Sequence, residues 1–178
     1  MNLTDTLKRA EDPAPAGRWR LEPADSTAEF RVPHFWGLIT VRGRFQSLDG
    51  WLEIDGAGAR QIELIIDASS VHTGNPMRDR HLRGADFFDV ANHSVVRFRS
   101  TRVTDAGDGV VKVAGELAAA GRQVALDLEA SLAQSSDQLR IEVCTPLDQR
   151  LLGLSWSPLG MTRTPATLRV SALLQRQL

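Results

Sequence analysis

From Arg18 onward, apolar and polar side chains alternate with a period of two rather than 3.6, the signature of strands with one dry and one wet face. In Thr27 to Pro33, Ala28, Phe30 and Val32 share a face opposite Glu29 and Arg31. Ile39, Val41, Gly43 and Phe45 oppose Thr40, Arg42 and Arg44, and Leu48, Gly50, Leu52 and Ile54 oppose Asp49, Trp51 and Glu53. Ile62, Leu64, Ile66 and Ala68 oppose Gln61, Glu63 and Asp67, with Ile65 breaking the polar side. The second half repeats the habit at Val96–Ser100, Val111–Leu117, Gln123–Leu132, Leu139–Thr145 and Ala166–Leu174. Turn chemistry at Gly56-Ala57-Gly58, Asp105 to Gly109, Ala119 to Gly121 and Gln134 to Asp137 links these runs by short hairpins.

Hairpin after hairpin predicts an all-β, up-and-down antiparallel barrel of about eight strands, which leaves no exposed edge. A two-layer sandwich is the alternative. One segment departs from the pattern: Val71 to Val90 reads VHTGNPMRDRHLRGADFFDV. Its Thr73-Gly74-Asn75-Pro76 turn, with Pro76 in a first helical turn and Gly84 as the stop, predicts a short helix to about Arg83 near one end of the barrel.

Length and composition narrow the class. The 178 residues contain no repeat, so residues 18–178 are expected to form one domain behind an N-terminal tail, 1–17. Apolar residues make up 42% and charged residues 24%, which is globular composition. With 21 basic and 22 acidic side chains the net charge is −1, which argues against a nucleic-acid binder and against a polybasic anchor. Cys144 is the one cysteine, so no internal disulfide or Cys-rich zinc site is expected. No stretch approaches the 18 or so apolar residues of a membrane-spanning helix. Met1 to Ala16 lacks the apolar run of a secretory signal, so a cytoplasmic location is expected.

Candidate chemistry is sparse. His34, His72, His81 and His93 show neither HxH nor HExxH spacing, so no metal site is expected, and no cofactor motif is present. No GxSxG occurs, and Cys144 and Ser69, Ser70, Ser155 and Ser157 have no recognisable base, so no catalytic residues are assigned. Trp36 follows His34 in a loop that could guard an opening, and Trp51 falls on the polar face. On the helix, Arg78 and His81 are candidates for a polar head group near the barrel mouth, while Asp79 is expected to pair with an arginine and hold the helix down. The inward set mixes large residues (Phe30, Phe45, Phe98) with small ones (Gly43, Ser100, Gly115, Ala130). Either the small residues leave an elongated void, or the phenyl rings fill the gaps and the core is solid.

Ordered motifs add to this. Phe30-x-Val32-x-His34, Gly43-Arg44-Phe45, Thr73-Gly74-Asn75, Arg78-Asp79-x-His81-Leu82, Asp86-Phe87-Phe88-Asp89-Val90, Phe98-x-Ser100-Thr101, Gly115-Glu116-Leu117 and Arg150-x-x-Gly153-Leu154-x-Trp156 together resemble the YceI-like family of lipid-binding proteins over roughly Trp19 to Leu174. The chain departs from that pattern at Asp25, at His93-Ser94 and at Ala118 to Ala120. The resemblance implies a lipocalin-like barrel holding a polyisoprenoid, an isoprenoid quinone or a related lipid. The ligand-binding candidates are then the inward residues of the alternation, Phe30, Val32, Val41, Phe45, Ile62 and Leu64, then Ile66, Phe98, Val113, Leu126 and Leu128, with Arg78 and His81 at the polar end. The expected partners are a long-chain isoprenoid or acyl lipid, transient contact with a membrane, and a homodimer; nucleic acid is not among them. The alternatives are an enzyme using the same cavity on a lipidic or aromatic substrate, or a filled barrel acting as a protein-interaction module.

Overall fold

A computed structural model describes residues 8–9, 14–34, 39–58, 60–135, 137–154 and 165–177. In chain order the elements are β1 (Lys8–Arg9), β2 (Gly17–Leu21), β3 (Thr27–His34), β4 (Ile39–Phe45), β5 (Leu48–Ile54), β6 (Arg60–Asp67), β7 (Val71–His72), α1 (Pro76–Arg83), β8 (Val95–Gly107), β9 (Val110–Ala119), β10 (Arg122–Gln134), β11 (Gln138–Leu147) and β12 (Ala166–Arg176). No helix among the described residues is long and apolar enough to cross a membrane.

Every pairing is antiparallel, and eight strands close a ring: β2, β5, β6, β8, β9, β10, β11 and β12, which returns to β2. Around the ring β5, β6, β8, β9, β10, β11 and β12 pair in order of sequence, as the alternation predicts, while β3, β4 and β7 form a side branch on β12 and β1 pairs with β10.

The ring is not the same at both ends. β12 carries two strands along one edge, β2 near Leu174–Arg176 and β3 along Thr167–Ser171. β2 and β3 are therefore one interrupted strand, broken by the 3-10 turn Pro23–Asp25. β4 and β5 are broken likewise at Gln46-Ser47. At one end the wall between β12 and β6 is β2 and β5; at the other it is β3, β4 and β7, with α1 beyond them. The extra elements widen that second end, the open end.

Two features differ from the alternation reading. β2 carries no alternation signal, because a run with two inward residues, Trp19 and Leu21, is too short for a period to emerge. β8 runs to Gly107 rather than ending at Ser100, because the register shifts between Ser100 and Arg102 and again between Asp105 and Gly107. A bulge of this kind exchanges the faces beyond it, so a strict period of two stops there. The Ser100 hydroxyl accepts the Ile62 amide at 2.8 Å, just beyond the Glu63–Arg99 pair where the β6–β8 ladder ends.

α1 forms where the turn chemistry predicts it. The Asn75 side chain accepts the amides of Met77 and Arg78 at 3.1 and 3.2 Å, and Pro76 occupies the first turn, where its missing N–H costs nothing. The Gly84 amide closes the helix on the His81 carbonyl.

Candidate functional site

The barrel interior is hollow over much of its length. A cavity of about 660 Å³ runs through it, more than four times the ~150 Å³ apolar cavity that admits benzene. At the closed end the inward residues meet. Trp19 is 0% exposed, Val111 and Leu139 1%, and Leu52, Ile54 and Leu132 are also buried; none of these reaches the cavity. Trp19 Nε1 donates to the Pro15 carbonyl at 3.3 Å, so the indole nitrogen is satisfied inside the plug. One layer up, Leu21, Val113, Ala130, Ile141 and Leu174 make the cavity floor.

Above the floor, inward residues lie on the same kind of strand but keep accessible surface. Phe30, Phe45, Ile62, Leu64, Phe98, Leu126, Leu128 and Val143 are half-buried, each with its exposed part turned to the cavity. The phenyl rings explain why the interior stays open. A Cβ on Gly43 would overlap the Phe30 ring, and one on Gly115 would come within 2.5 Å of Phe98 Cζ. Each ring thus lies over a glycine of the neighbouring strand, covering the wall instead of spanning the lumen. The two sequence alternatives are resolved: the rings do fill glycine gaps, but gaps in the wall, and the void remains.

α1 crosses the open end. Asn75, Met77, Arg78, His81 and Leu82 line the cavity from there, and Ile39 lines it from β4. Met77 and Ile39 are 80% and 54% exposed, so they mark a rim. The lining contains few polar groups. Gln149 is buried with its Oε1 accepting the Ala166 amide at 2.9 Å, which ties β12 to the 3-10 turn Gln149–Leu152. Arg78 donates from Nε to the Thr73 hydroxyl at 2.8 Å and from Nη2 to the Thr73 carbonyl at 3.1 Å.

Asp79 does hold the helix down, but not through the arginine that the sequence suggests. Its Oδ1 accepts the Thr73 amide and hydroxyl at 2.8 and 2.6 Å, and its Oδ2 lies 3.3 Å from His72 Nδ1. Thr73 and His72 precede the helix, so the carboxylate folds its own approach segment against it. Burial pushes the Asp79 carboxyl up, but the Thr73 hydroxyl and amide, then His72 and Arg83, outweigh it and hold it below the usual carboxylate range. Arg83 makes the barrel contact instead, donating to the Ser69 and Val71 carbonyls at 2.7 Å each.

All thirteen ligand-binding candidates named from the sequence line this cavity. Leu168 and Val170 of β12 and Thr145 of β11 also line it; the alternation puts them on inward faces although they are not among the candidates, while Gln149 lies on a 3-10 turn and its polar side chain carries no inward signal. The side chain of His34 and residues Trp36, Ser155, Trp156 and Ser157 lie outside the described residues. Among the described residues no group of three His, Cys, Asp or Glu side chains is placed to hold a metal. Cys144 is exposed on the outer face. Trp51 is half-buried on the outer face, with the Arg18 guanidinium 5.3 Å from its ring centre. Its cross-strand neighbour Glu63 is buried there between Arg97 and Arg99, each at 3.3 Å. The family departures at His93-Ser94 and Ala118 to Ala120 meet in space, where the His93 ring occupies the room a Cβ on Gly121 would need.

The family profile described as the YceI-like domain matches residues 19–173. A UPF0312 protein of Vibrio cholerae is 35% identical over 101 residues, 56% of this chain and 53% of that protein. One from Vibrio parahaemolyticus is 30% identical over 109 residues, 60% and 57% of the two chains. The matched stretch thus spans about half the length of these curated relatives. Among solved structures, Burkholderia cenocepacia BcnA superposes with a TM-score of 0.78 at 17% identity, covering 86% of this chain and 98% of that one. A polyisoprenoid binding domain from Saccharophagus degradans, implicated in plant cell wall breakdown, superposes at 0.71 with 19% identity, covering 89% and 98%. At these identities the two structures establish a shared fold.

Proposed function

The chain belongs to the family of YceI-like domains, and on that footing we propose that it binds one long apolar chain, a polyisoprenoid, isoprenoid quinone or similar lipid, inside its barrel. The single observation that carries this is a 660 Å³ cavity walled by aliphatic and phenyl side chains, closed at one end by Trp19 and open beside α1. The Saccharophagus degradans neighbour, a polyisoprenoid binding domain, supports the same ligand class.

The mechanism is desolvation. Each methylene moved from water to the cavity contributes about 0.8 kcal/mol, and no directional bond is needed. Eleven of the candidate residues act as an apolar surface: Phe30, Phe45 and Phe98 as its aromatic part, and Val32, Val41, Ile62, Leu64, Ile66, Val113, Leu126 and Leu128 as the aliphatic remainder. Arg78 and His81 stand where the polar end of a ligand would emerge. Arg has five N–H donors, and Thr73 takes a bond from two of its nitrogens, so the side chain reaches a head group already oriented.

We read the protein as a carrier or store rather than an enzyme. The lining is overwhelmingly apolar, and of its polar groups Gln149 and Arg78 are engaged with the fold itself. A filled interaction module does not suit a hollow barrel.

The test is extraction with organic solvent after purification without detergent, followed by mass spectrometry. The expected result is a prenyl or comparable long-chain lipid in near-stoichiometric amount. Protein that yields no lipid, and that binds no added prenyl alcohol or quinone, contradicts the proposal.

A further inference from the structure

Among the described residues, Met77, Ile39 and Leu151 are apolar side chains exposed at the open end. Met77 on α1 and Ile39 on β4 line the cavity and are 80% and 54% exposed, and Leu151, on the 3-10 turn that follows β11 at the same end, is 59% exposed. Isolated exposed apolar residues are ordinary, but these gather where a water-insoluble ligand must enter. Around them basic side chains predominate, with Asp86 an exposed acid just past the helix. α1 carries Arg78, Arg80, His81 and Arg83 against one acid, Asp79, which is buried and engaged with Thr73 and His72. On the outer face of the adjoining hairpin, exposed Arg31 and Arg42 sit directly opposite each other. Like charges in that position repel, so the hairpin carries a local cost. Glu29, the acid on that face, stands opposite Arg44. Over the whole chain basic and acidic side chains nearly balance, whereas β3, β4 and α1 together carry six arginines against Glu29 and Asp79.

We propose that the open end docks on an anionic phospholipid surface, with Met77, Ile39 and Leu151 entering the head-group layer and Arg31, Arg42 and Arg80 facing lipid phosphates. This deepens the carrier reading and rests on it: a docked rim lets the lipid pass between bilayer and cavity without crossing water. Shallow apolar insertion flanked by arginines is the chemistry of interfacial binding, and guanidinium pairs well with phosphate.

The experiment is flotation of the full chain with phosphatidylcholine vesicles, with and without phosphatidylglycerol. The expected result is flotation only with phosphatidylglycerol, weakened by salt as screening shortens the reach of the arginines. The triple variant R31Q/R42Q/R80Q, whose sites lie outside the cavity lining, is expected to lower partitioning roughly 100-fold, about fivefold per arginine. Its extracted lipid should match that of the unaltered chain. Equal partitioning of the triple variant and the unaltered chain overturns the proposal. So does a chain that ignores both vesicles, including one whose open end is covered by a second copy in a dimer. If the chain floats as expected but never yields or binds lipid, docking stands and the carrier reading fails.

Discussion

At the closed end of the barrel Trp19, Val111 and Leu139 have 1% exposure or less, whereas midway along the same sheet Phe30, Leu128 and Val143 keep surface that no other side chain covers. Both sets face inward from alternating strands. What separates them is the wall behind. The closed end has β2 and β5 between β12 and β6, and one indole fills the space enclosed. The open end has β3, β4 and β7 there with α1 beyond, and its largest inward rings lie over Gly43 and Gly115. Alternation decides which residues point in; the count of strands around the ring, and small residues on the next strand, decide whether they meet.

The largest expected effect breaks the closed end. Trp19→Ala should lower stability by about 3–5 kcal/mol, because a fully enclosed side chain is replaced by a cavity. Leu128→Ala, a truncation into space that is already empty, should cost under about 2 kcal/mol. Urea midpoints of the two variants measure the contrast; equal losses would mean that the two regions are packed alike.

Next come two changes at the open half. Gly43→Ala places a methyl where the Phe30 ring lies, so the ring must turn into the lumen. The expected cost is about 1–3 kcal/mol from overpacking, together with lost capacity for long-chain ligands. Retained capacity would show that the phenyl–glycine seat does not keep the lumen clear. Asp79→Ala strips the Thr73 amide and hydroxyl of their acceptor and should cost about 1–3 kcal/mol. The sign with pH follows from a carboxyl held low in the folded state. Its contribution is complete above the unfolded value of ~3.9 and is lost only as pH falls through the lower folded value. The gap in urea midpoint between the unaltered chain and Asp79→Ala should therefore stay constant from neutrality to about pH 4 and close below it.

The smallest effect is a gain. Val143→Phe adds volume toward the cavity and should raise the stability of the empty barrel by about 0.5–2 kcal/mol while reducing ligand uptake. A variant that loses stability would mean that the space beside Val143 is already filled.

Much of this architecture was legible in the sequence, because strand faces follow from a period of two and the Asn75-Pro76 start of α1 is local chemistry. The cavity-facing residues followed from the same alternation. Three things were not legible, each for a physical reason. β2 is too short to show a period. The bulge after Ser100 resets the faces of β8. The Phe30–Gly43 and Phe98–Gly115 contacts depend on which residues lie beside each other across strands, and that register is absent from any single strand's pattern. A carboxylate beside three arginines suggests an ion pair, but the turn before the helix brings the Thr73 amide and hydroxyl to Asp79 instead.

The most direct test of a floored, hollow barrel is the affinity of straight-chain alcohols as a function of length, measured by calorimetry on delipidated protein. Each added methylene should tighten binding by about 0.8 kcal/mol, roughly fourfold, until the chain reaches the layer above Trp19, and longer chains should then gain nothing. Affinity that ignores chain length, or that climbs without a plateau, would contradict the account.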